Sequence, residues 1–405
     1  MNLQNEILDI LYFGYPLRSC VDEHVLVSNA VTDESTLSKL RSVFLAATER
    51  LLGNHQHVIL PLSGGLDSRL ILGCLLECLP ASRIHAFNYG VPGNLDFEIP
   101  QKIARATGIH LVQTEFREVQ LSPDRLLDSG YTLASAPCHN LIGYTLIQAL
   151  SETSLGKLGV DASLPVWSGF LGDRIFNEKW KGLQLPLRES AHLFAENYCI
   201  NSRFAELFPD YDPGARLEDM YRDSDEPVGT TWIERMEYHQ RQYRVRSTLM
   251  TLPGSYCFLF EQPEVMAQII GCGQRFSHRG ELQTRYFHQF HPKLAALPVT
   301  SRFGAALLKY PWQTSLNRWI RLGKNRAGSL PGLTFLKDRN VKISPGLLSA
   351  QVRGYDECIR GGLNVAGKAL EPLGINIYHP VLSSWRHTRL GAEQMASLGY
   401  LHIPS

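Results

Sequence analysis

No apolar run in this chain approaches the ~20 residues that a helix needs to cross a bilayer, so no membrane span is expected. The opening stretch, residues 1–14, lacks a basic region followed by a small-residue cleavage site, which argues against a secretory leader and for a cytoplasmic location. Eight cysteines are scattered without one CxxC pair, so neither a zinc ribbon nor a redox dithiol is indicated, and in the cytosol they are expected as thiols. Cys74 and Cys78 fall four apart on an expected helix and read as small core residues. Fourteen histidines show no HExxH spacing, which removes the usual zinc-hydrolase pattern. Excess charge is missing too: 40 Lys and Arg stand against 39 Asp and Glu, a formal net charge of +1. A broad electrostatic footprint for nucleic acid or an anionic membrane is therefore not indicated, although a local basic pocket remains open. There is no internal repeat and no low-complexity tract.

What is present is ordinary globular material, 44% hydrophobic and 20% charged over 405 residues, enough for two or three domains or for one large domain with an attachment. From about Val58 to Ser168 short apolar runs alternate with helical patterns. Strands are expected up to the loop at residue 62, over 83–90, over 109–116 and near 164–169; helices are expected over 68–79, stopped by Pro80, and over 96–107, stopped by Gly108. Such alternation predicts an α/β fold with a parallel sheet and right-handed crossovers. From about Leu187 the pattern turns mainly helical, with long helices expected over 231–252 and 281–294. The expected division is an N-terminal segment over 1–50, a nucleotide-binding core over 51–185 and a mainly helical substrate region over 186–405.

The segment with the most chemistry in it is Leu62-Ser63-Gly64-Gly65-Leu66-Asp67-Ser68, between a strand and a helix. Two adjacent glycines let the backbone turn and approach a ligand closely. The helix start behind them offers unpaired N–H groups and the positive end of a dipole, which suits phosphate. Ser63 and Ser68 add hydroxyls. A bare phosphate would repel Asp67, so its presence points to Mg²⁺ bridging carboxylate and phosphate oxygens. The GK[ST] ending of a Walker A loop is absent.

This string resembles the pyrophosphate loop of the N-type ATP pyrophosphatases, and more specifically the synthetase domain of the asparagine synthetase family. The stretch 86–96, with Asn88, Tyr89 and Gly90, is similar to that family's second-strand loop. Trp167 to Asp173 falls where the family places SGEGxDE, and Ser255 to Val265 is similar to its R-x-P-F-L-D-P-E stretch. The resemblance spans roughly residues 40–300. It implies a parallel-sheet core of the adenine nucleotide alpha hydrolase type with ATP and Mg²⁺ as cofactors. Ser63, Gly65, Asp67 and Ser68 would hold the phosphates that leave as pyrophosphate, with Leu62 and Gly64 completing the loop. Asp67 and Asp173 would hold the metal. Asn88, Tyr89, Gly90, Ser168 and Gly169 would border ribose and adenine.

Three departures from the family pattern shape the expected activity. The family's full-length members begin Met-Cys, and the chain begins Met1-Asn2-Leu3, so no glutaminase activity in cis is expected; residues 7–27 resemble only the tail of such a domain. Phe170 stands where the family has a catalytic glutamate, which makes asparagine synthesis itself unexpected and places an apolar wall at the acceptor. No clear match exists for the family's transition-state lysine; Arg302 is the candidate, with Lys309, Lys324 and Lys342 as alternatives. Cys138, beside His139, lies where relatives face the acceptor. Arg241 and Arg244 share one helix face, near Arg246; that cluster reads chiefly as a solvated or salt-bridged face.

The leading expectation is an ATP-dependent carbon–nitrogen ligase, AMP- and pyrophosphate-forming, that adenylates a small-molecule carboxylate and forms an amide with an amine or ammonia. The second is adenylation of a carbonyl oxygen on a base or heterocycle for replacement by sulfur or nitrogen, with a separate donor protein and Cys138 as the residue to watch. The third is a non-catalytic ATP-binding module.

Overall fold

The computed structural model describes residues 3–13, 15–17, 37–128, 131, 140–176, 183–198, 207–227, 231–246, 249–273, 280–302, 304–307, 319–320, 345–378 and 389–401. Five strands form one sheet: β1 Val58–Pro61, β2 Ile84–Gly90, β3 His110–Glu115, β4 Val166–Ser168 and β5 Tyr256–Phe258. Their spatial order is β3-β2-β1-β4-β5, and each neighbouring pair runs parallel. The register runs Val58 opposite Ile84, His85 opposite His110, Ile59 opposite Val166, and Val166 opposite Tyr256. Val58, Ile59 and Leu60 are all fully buried, as expected of a central parallel strand covered on both faces.

Strand alternation sorts these residues between two apolar layers. Val58, Leu60, Ile84, Ala86 and Trp167 share a core with α2 (Leu37–Leu52), α3 (Asp67–Cys78) and α4 (Leu95–Thr107). Ile59, Phe87 and Val166 pack with Leu155 and Leu158 of the helix that follows β3. With α1 (Leu3–Phe13), α5 (Pro123–Leu127), and that helix as α6 (Leu141–Leu158), the chain order explains the layering. It steps from β1 to β2 to β3 through helices on one face, then returns past β1 to β4 through α6 on the other. The crossovers therefore diverge between β1 and β4, and a crevice opens there at the strand ends.

The helices expected over 68–79 and 96–107 are present as α3 and α4, and Gly108 closes α4 in the left-handed region at φ 76°. Cys74 is fully buried in α3. A short α7 (Gly172–Ile175) follows β4, and α8 (Leu187–Tyr198), α9 (Pro213–Tyr221) and α10 (Trp232–Arg241) begin the helical part. After β5 come α11 (Pro263–Gly273), α12 (Glu281–Phe290), α13 (Pro292–Ala295), α14 (Pro345–Gln351), α15 (Tyr355–Leu370) and α16 (Arg389–Leu398). A second large core joins α1 to α6, α8, α9, α10, α15 and α16, led by Ile7, Ile10, Phe13, Phe194, Ile233 and Tyr355. No described helix is long and apolar enough to cross a membrane.

Three sequence expectations change. The helix expected over 281–294 breaks at His291, where Pro292 starts a new helix, giving α12 and α13. The helix expected over 231–252 ends at Arg241 and continues as a π-helical turn, Gln242–Arg246. There the Gln242 amide donates to both the Tyr238 hydroxyl and Glu261, so tertiary contacts hold the irregular turn. The stretch read as mainly helical also supplies the edge strand β5, whose three residues are too few to show a period of two.

Candidate functional site

The loop after β1 and the loop after β4 meet at this crevice, as the strand order requires. The Ser63 amide donates to Ser68 Oγ at 3.1 Å, the two serine hydroxyls are 3.0 Å apart, and the Gly65 amide donates to Ser63 Oγ at 3.2 Å. These bonds fold the loop over the first turn of α3. Leu66 caps that helix without any side-chain bond, so no side chain competes for its first N–H groups.

At Gly64 close packing within the chain adds a requirement that the sequence did not show. Neither Gly64 nor Gly65 has a positive φ. A Cβ on Gly64 would lie 2.1 Å from Thr300 Oγ1, and the Thr300 amide donates to the Gly64 carbonyl at 3.0 Å. Close packing of the 300–302 turn on the loop, not a left-handed backbone, is what excludes a side chain there. Buried Arg69 reinforces the junction by donating to the carbonyls of Leu294 and Leu297.

Asp67 points from the start of α3 towards the β4 loop. A Cβ on Gly172 would fall 2.5 Å from Asp67 Cγ, so only glycine lets the two segments meet. Leu171 has φ 69°, the one positive φ of a non-glycine residue among those described, and it stands within the segment that resembles SGEGxDE. Burial pushes the Asp67 carboxyl up to about 7; the bond from Gln283 Nε2 at 2.8 Å opposes this, the Asp173 charge adds to it, and Arg241 and the Asp173 amide pull it down. Gln283 comes from α12, more than 200 positions away, and was not foreseeable from local pattern.

Asp173 and Asp67 do come together, lining one cavity of about 460 Å³. Its polar end is made by Ser63, Asp67, Ser68, Asp173 and Arg241, and Asp96 also reaches it. Phe87, Ile147, Leu249, Leu252 and Tyr256 supply apolar wall. Leu62, Asn88, Tyr89, Ser168, Gly169 and Phe170, all expected at the site, line it as well. Asn88 is braced internally, donating to the Leu62 and Asp96 carbonyls at 3.0 and 3.1 Å and accepting from Gln113. Gly64, Gly65 and Gly90 support the walls without lining them.

Phe170 lines the cavity with little of its ring: it is 4% exposed and packs edge-on against Phe258 at 5.8 Å. Arg302 is not a lining residue; its guanidinium donates to Thr284 Oγ1 at 2.9 Å. Arg241, read in the sequence as part of a solvated or salt-bridged face, is salt-bridged: it donates to Asp173 at 2.9 and 3.0 Å, and both residues line the cavity. Arg246 turns to Glu261 and lies over the Phe258 ring. Cys138, His139, Lys309, Lys324 and Lys342 lie outside the described residues.

Comparison with known families gives one match: the model described as asparagine synthase, over residues 39–139. Those residues belong to the synthetase domain of the asparagine synthase family. The segment runs from α2 past β3 and α5 and contains the Ser63–Ser68 loop. No curated protein matches the chain. The sheet and the cavity continue past the matched segment, because β4, β5 and Asp173 lie beyond residue 139 and complete them.

The lining residues fit a metal-borne nucleotide. Three carboxylates and one guanidinium face the cavity, a balance that would repel a free polyphosphate. Among the described residues no cluster of three or more His, Cys, Asp or Glu side chains could hold a metal ion by itself. Asp67 and Asp173 could therefore hold Mg²⁺ only with phosphate oxygens and water completing the shell, which is how that ion is commonly bound.

Proposed function

We propose that the protein is an ATP-dependent ligase that adenylates a carboxylate, releases pyrophosphate, and passes the acyl group to an amine or ammonia. The observation that carries this reading is the joint placement of the Ser63–Ser68 loop and the Asp67–Asp173 pair at one end of a cavity whose other walls are largely apolar. A carboxylate oxygen attacks the α-phosphorus, the bond to the β-phosphate oxygen breaks, and pyrophosphate departs. The amine then attacks the acyl carbon, the acyl–phosphate bond breaks, and AMP leaves with that oxygen. Magnesium, when bound, would neutralise phosphate charge and orient the departing pyrophosphate. The chain's own part is positional and electrostatic: Ser63, Ser68 and the uncapped α3 N-terminus bind phosphate oxygens, and Asp67 and Asp173 orient the cation.

The apolar walls support an acceptor other than aspartate. Where the family has a glutamate, Phe170 offers no proton acceptor, and Phe258 holds its ring edge-on. Aspartate with ammonia is expected to be unproductive, and an acceptor with an apolar portion is expected to bind. The test uses candidate acids labelled with ¹⁸O in the carboxylate. Transfer of one label to AMP supports the reading. Amide formation that leaves AMP unlabelled, or enzyme-like asparagine synthesis from aspartate and ammonia, contradicts it.

A further inference from the structure

Arg241 is the one cation among the described residues that line the cavity, and its charge is turned onto protein carboxylates. Its Nη1 donates to Asp173 Oδ1 and Oδ2 at 2.9 and 3.0 Å, and Nη2 lies 3.6 Å from Glu237 Oε1, one helical turn back on α10. Glu237 is buried and is shared with Arg174, 3.5 Å away. Arg174 in turn donates to the Glu234 carbonyl. The network ties α10 to the β4 loop through two neighbouring residues, Asp173 and Arg174.

The two ends of this network differ in environment. The Arg174–Glu237 pair is about 8% exposed on both sides, whereas the Asp173 side chain is 59% exposed and Arg241 22%. An ion pair that open to water contributes little, so releasing Asp173 costs little. A guanidinium facing polyphosphate gains charge-assisted bonds in a fork geometry that a single carboxylate contact does not match. Arg241 also ends α10 where the regular helix gives way to the π-turn Gln242–Arg246, and Glu237 tethers the guanidinium near the cavity whichever anion it faces.

We propose that Arg241 is a charge-exchange residue of the nucleotide site: it holds Asp173 while the cavity is free of nucleotide, then turns to the phosphate oxygens when metal-borne nucleotide enters, releasing Asp173 to the metal. This rests on the ATP reading above and deepens it. Arg241 becomes the cation that touches the phosphates; the resemblance had offered Arg302 only as a candidate for the family's transition-state lysine. The exchange also prevents Asp67 and Asp173 from facing each other as two uncompensated carboxylates before nucleotide arrives.

The test is equilibrium binding of the non-reacting analogue α,β-methylene-ATP with Mg²⁺ to the full chain, measured calorimetrically for wild type, Asp173→Asn, Arg241→Gln and the double variant. A direct phosphate contact predicts that Arg241→Gln weakens binding about tenfold or more, and does so again in the Asp173→Asn background. If Arg241 only holds Asp173 in place, Arg241→Gln has no effect once Asp173→Asn is present, and the proposal is overturned. Arg241→Lys keeps the charge and guards against a folding defect: binding several-fold weaker than wild type supports the proposal, and unchanged binding in the Asp173→Asn background overturns it. Wild type that fails to bind the analogue at all overturns the ATP reading itself; wild type that binds, with silent Arg241 variants, overturns only the exchange.

Discussion

Asp9, in the helical half, and Asp67, in the cavity, are both carboxylates whose burial pushes them towards the neutral form, and their surroundings answer that cost in opposite ways. Asp9 is fully buried, yet it accepts from the Tyr211 hydroxyl at 2.7 Å, from Arg216 at 2.8 Å and from the Leu17 amide at 3.3 Å. Each of these pulls its carboxyl back down. Asp67 has Gln283 and the Asp173 amide as donors, with the like charge of Asp173 nearby and Arg241 opposing it from a distance. One carboxylate is bonded directly to a cation of the protein; the other is bonded to neutral donors only, which is the arrangement the proposed metal-borne ligand would complete. Polar burial that serves architecture and polar burial that serves a ligand can thus be told apart by how fully the partners are provided within the chain.

The largest effect that would test this contrast is at Asp67. Asp67→Ala is expected to lower pyrophosphate release by ~10²–10³-fold, because a metal-borne contact to the departing group is lost. The same variant should unfold in urea at a midpoint no lower than wild type, since a poorly compensated carboxylate has been removed. A large drop in midpoint would show that Asp67 is architectural like Asp9.

The reverse pattern is expected at Asp9. Asp9→Ala leaves Tyr211 and Arg216 facing an unfilled buried site, and a loss of about 3 kcal/mol of stability is expected from urea unfolding. Nucleotide affinity per folded molecule should stay within about twofold, a shift of only a few tenths of a kcal/mol. Strong loss of affinity with intact stability would erase the distinction between the two regions.

A smaller effect separates the helical half by pH. His239 is buried, stacked on Tyr221 at 5.3 Å and partnered by its hydroxyl, and burial lowers its pKa to about 4, with Arg235 adding to the shift. In the unfolded chain it titrates near 6.5. Between these values the unfolded state binds the extra proton, so the stability due to this residue is full above pH 6.5 and is lost as pH falls towards 4. The loss is at most about 3 kcal/mol. His239→Gln should flatten the urea-midpoint profile across that window; an unchanged slope would reassign it to other groups.

How much of this could be read in advance follows the range of the interactions. The β1–loop–α3 unit, α4, β2 and β3 were legible because local periodicity and the Ser63–Ser68 string specify them. Asp173 was legible through resemblance, and its approach to Asp67 follows from strand order. Three features were not. The partnership of Arg241 with Asp173 spans 68 positions, that of Gln283 with Asp67 spans 216, and the seat of Thr300 on Gly64 depends on a turn docked from far along the chain. Helical periodicity located α10 without revealing that its last residue enters the cavity, and three-residue β5 was too short to register. Gly64 was singled out for a turn and for close approach of a ligand; its contact with Thr300 was not foreseen, because a close approach by a distant segment leaves no local trace.

The central claim is that this cavity splits ATP between its α- and β-phosphates. ³¹P NMR of the full chain with Mg²⁺, ATP and a mixed pool of carboxylic acids and amines reads that directly. The account predicts AMP and pyrophosphate appearing together with wild type and almost absent with Asp67→Ala. ADP and orthophosphate as the sole products with wild type would contradict it.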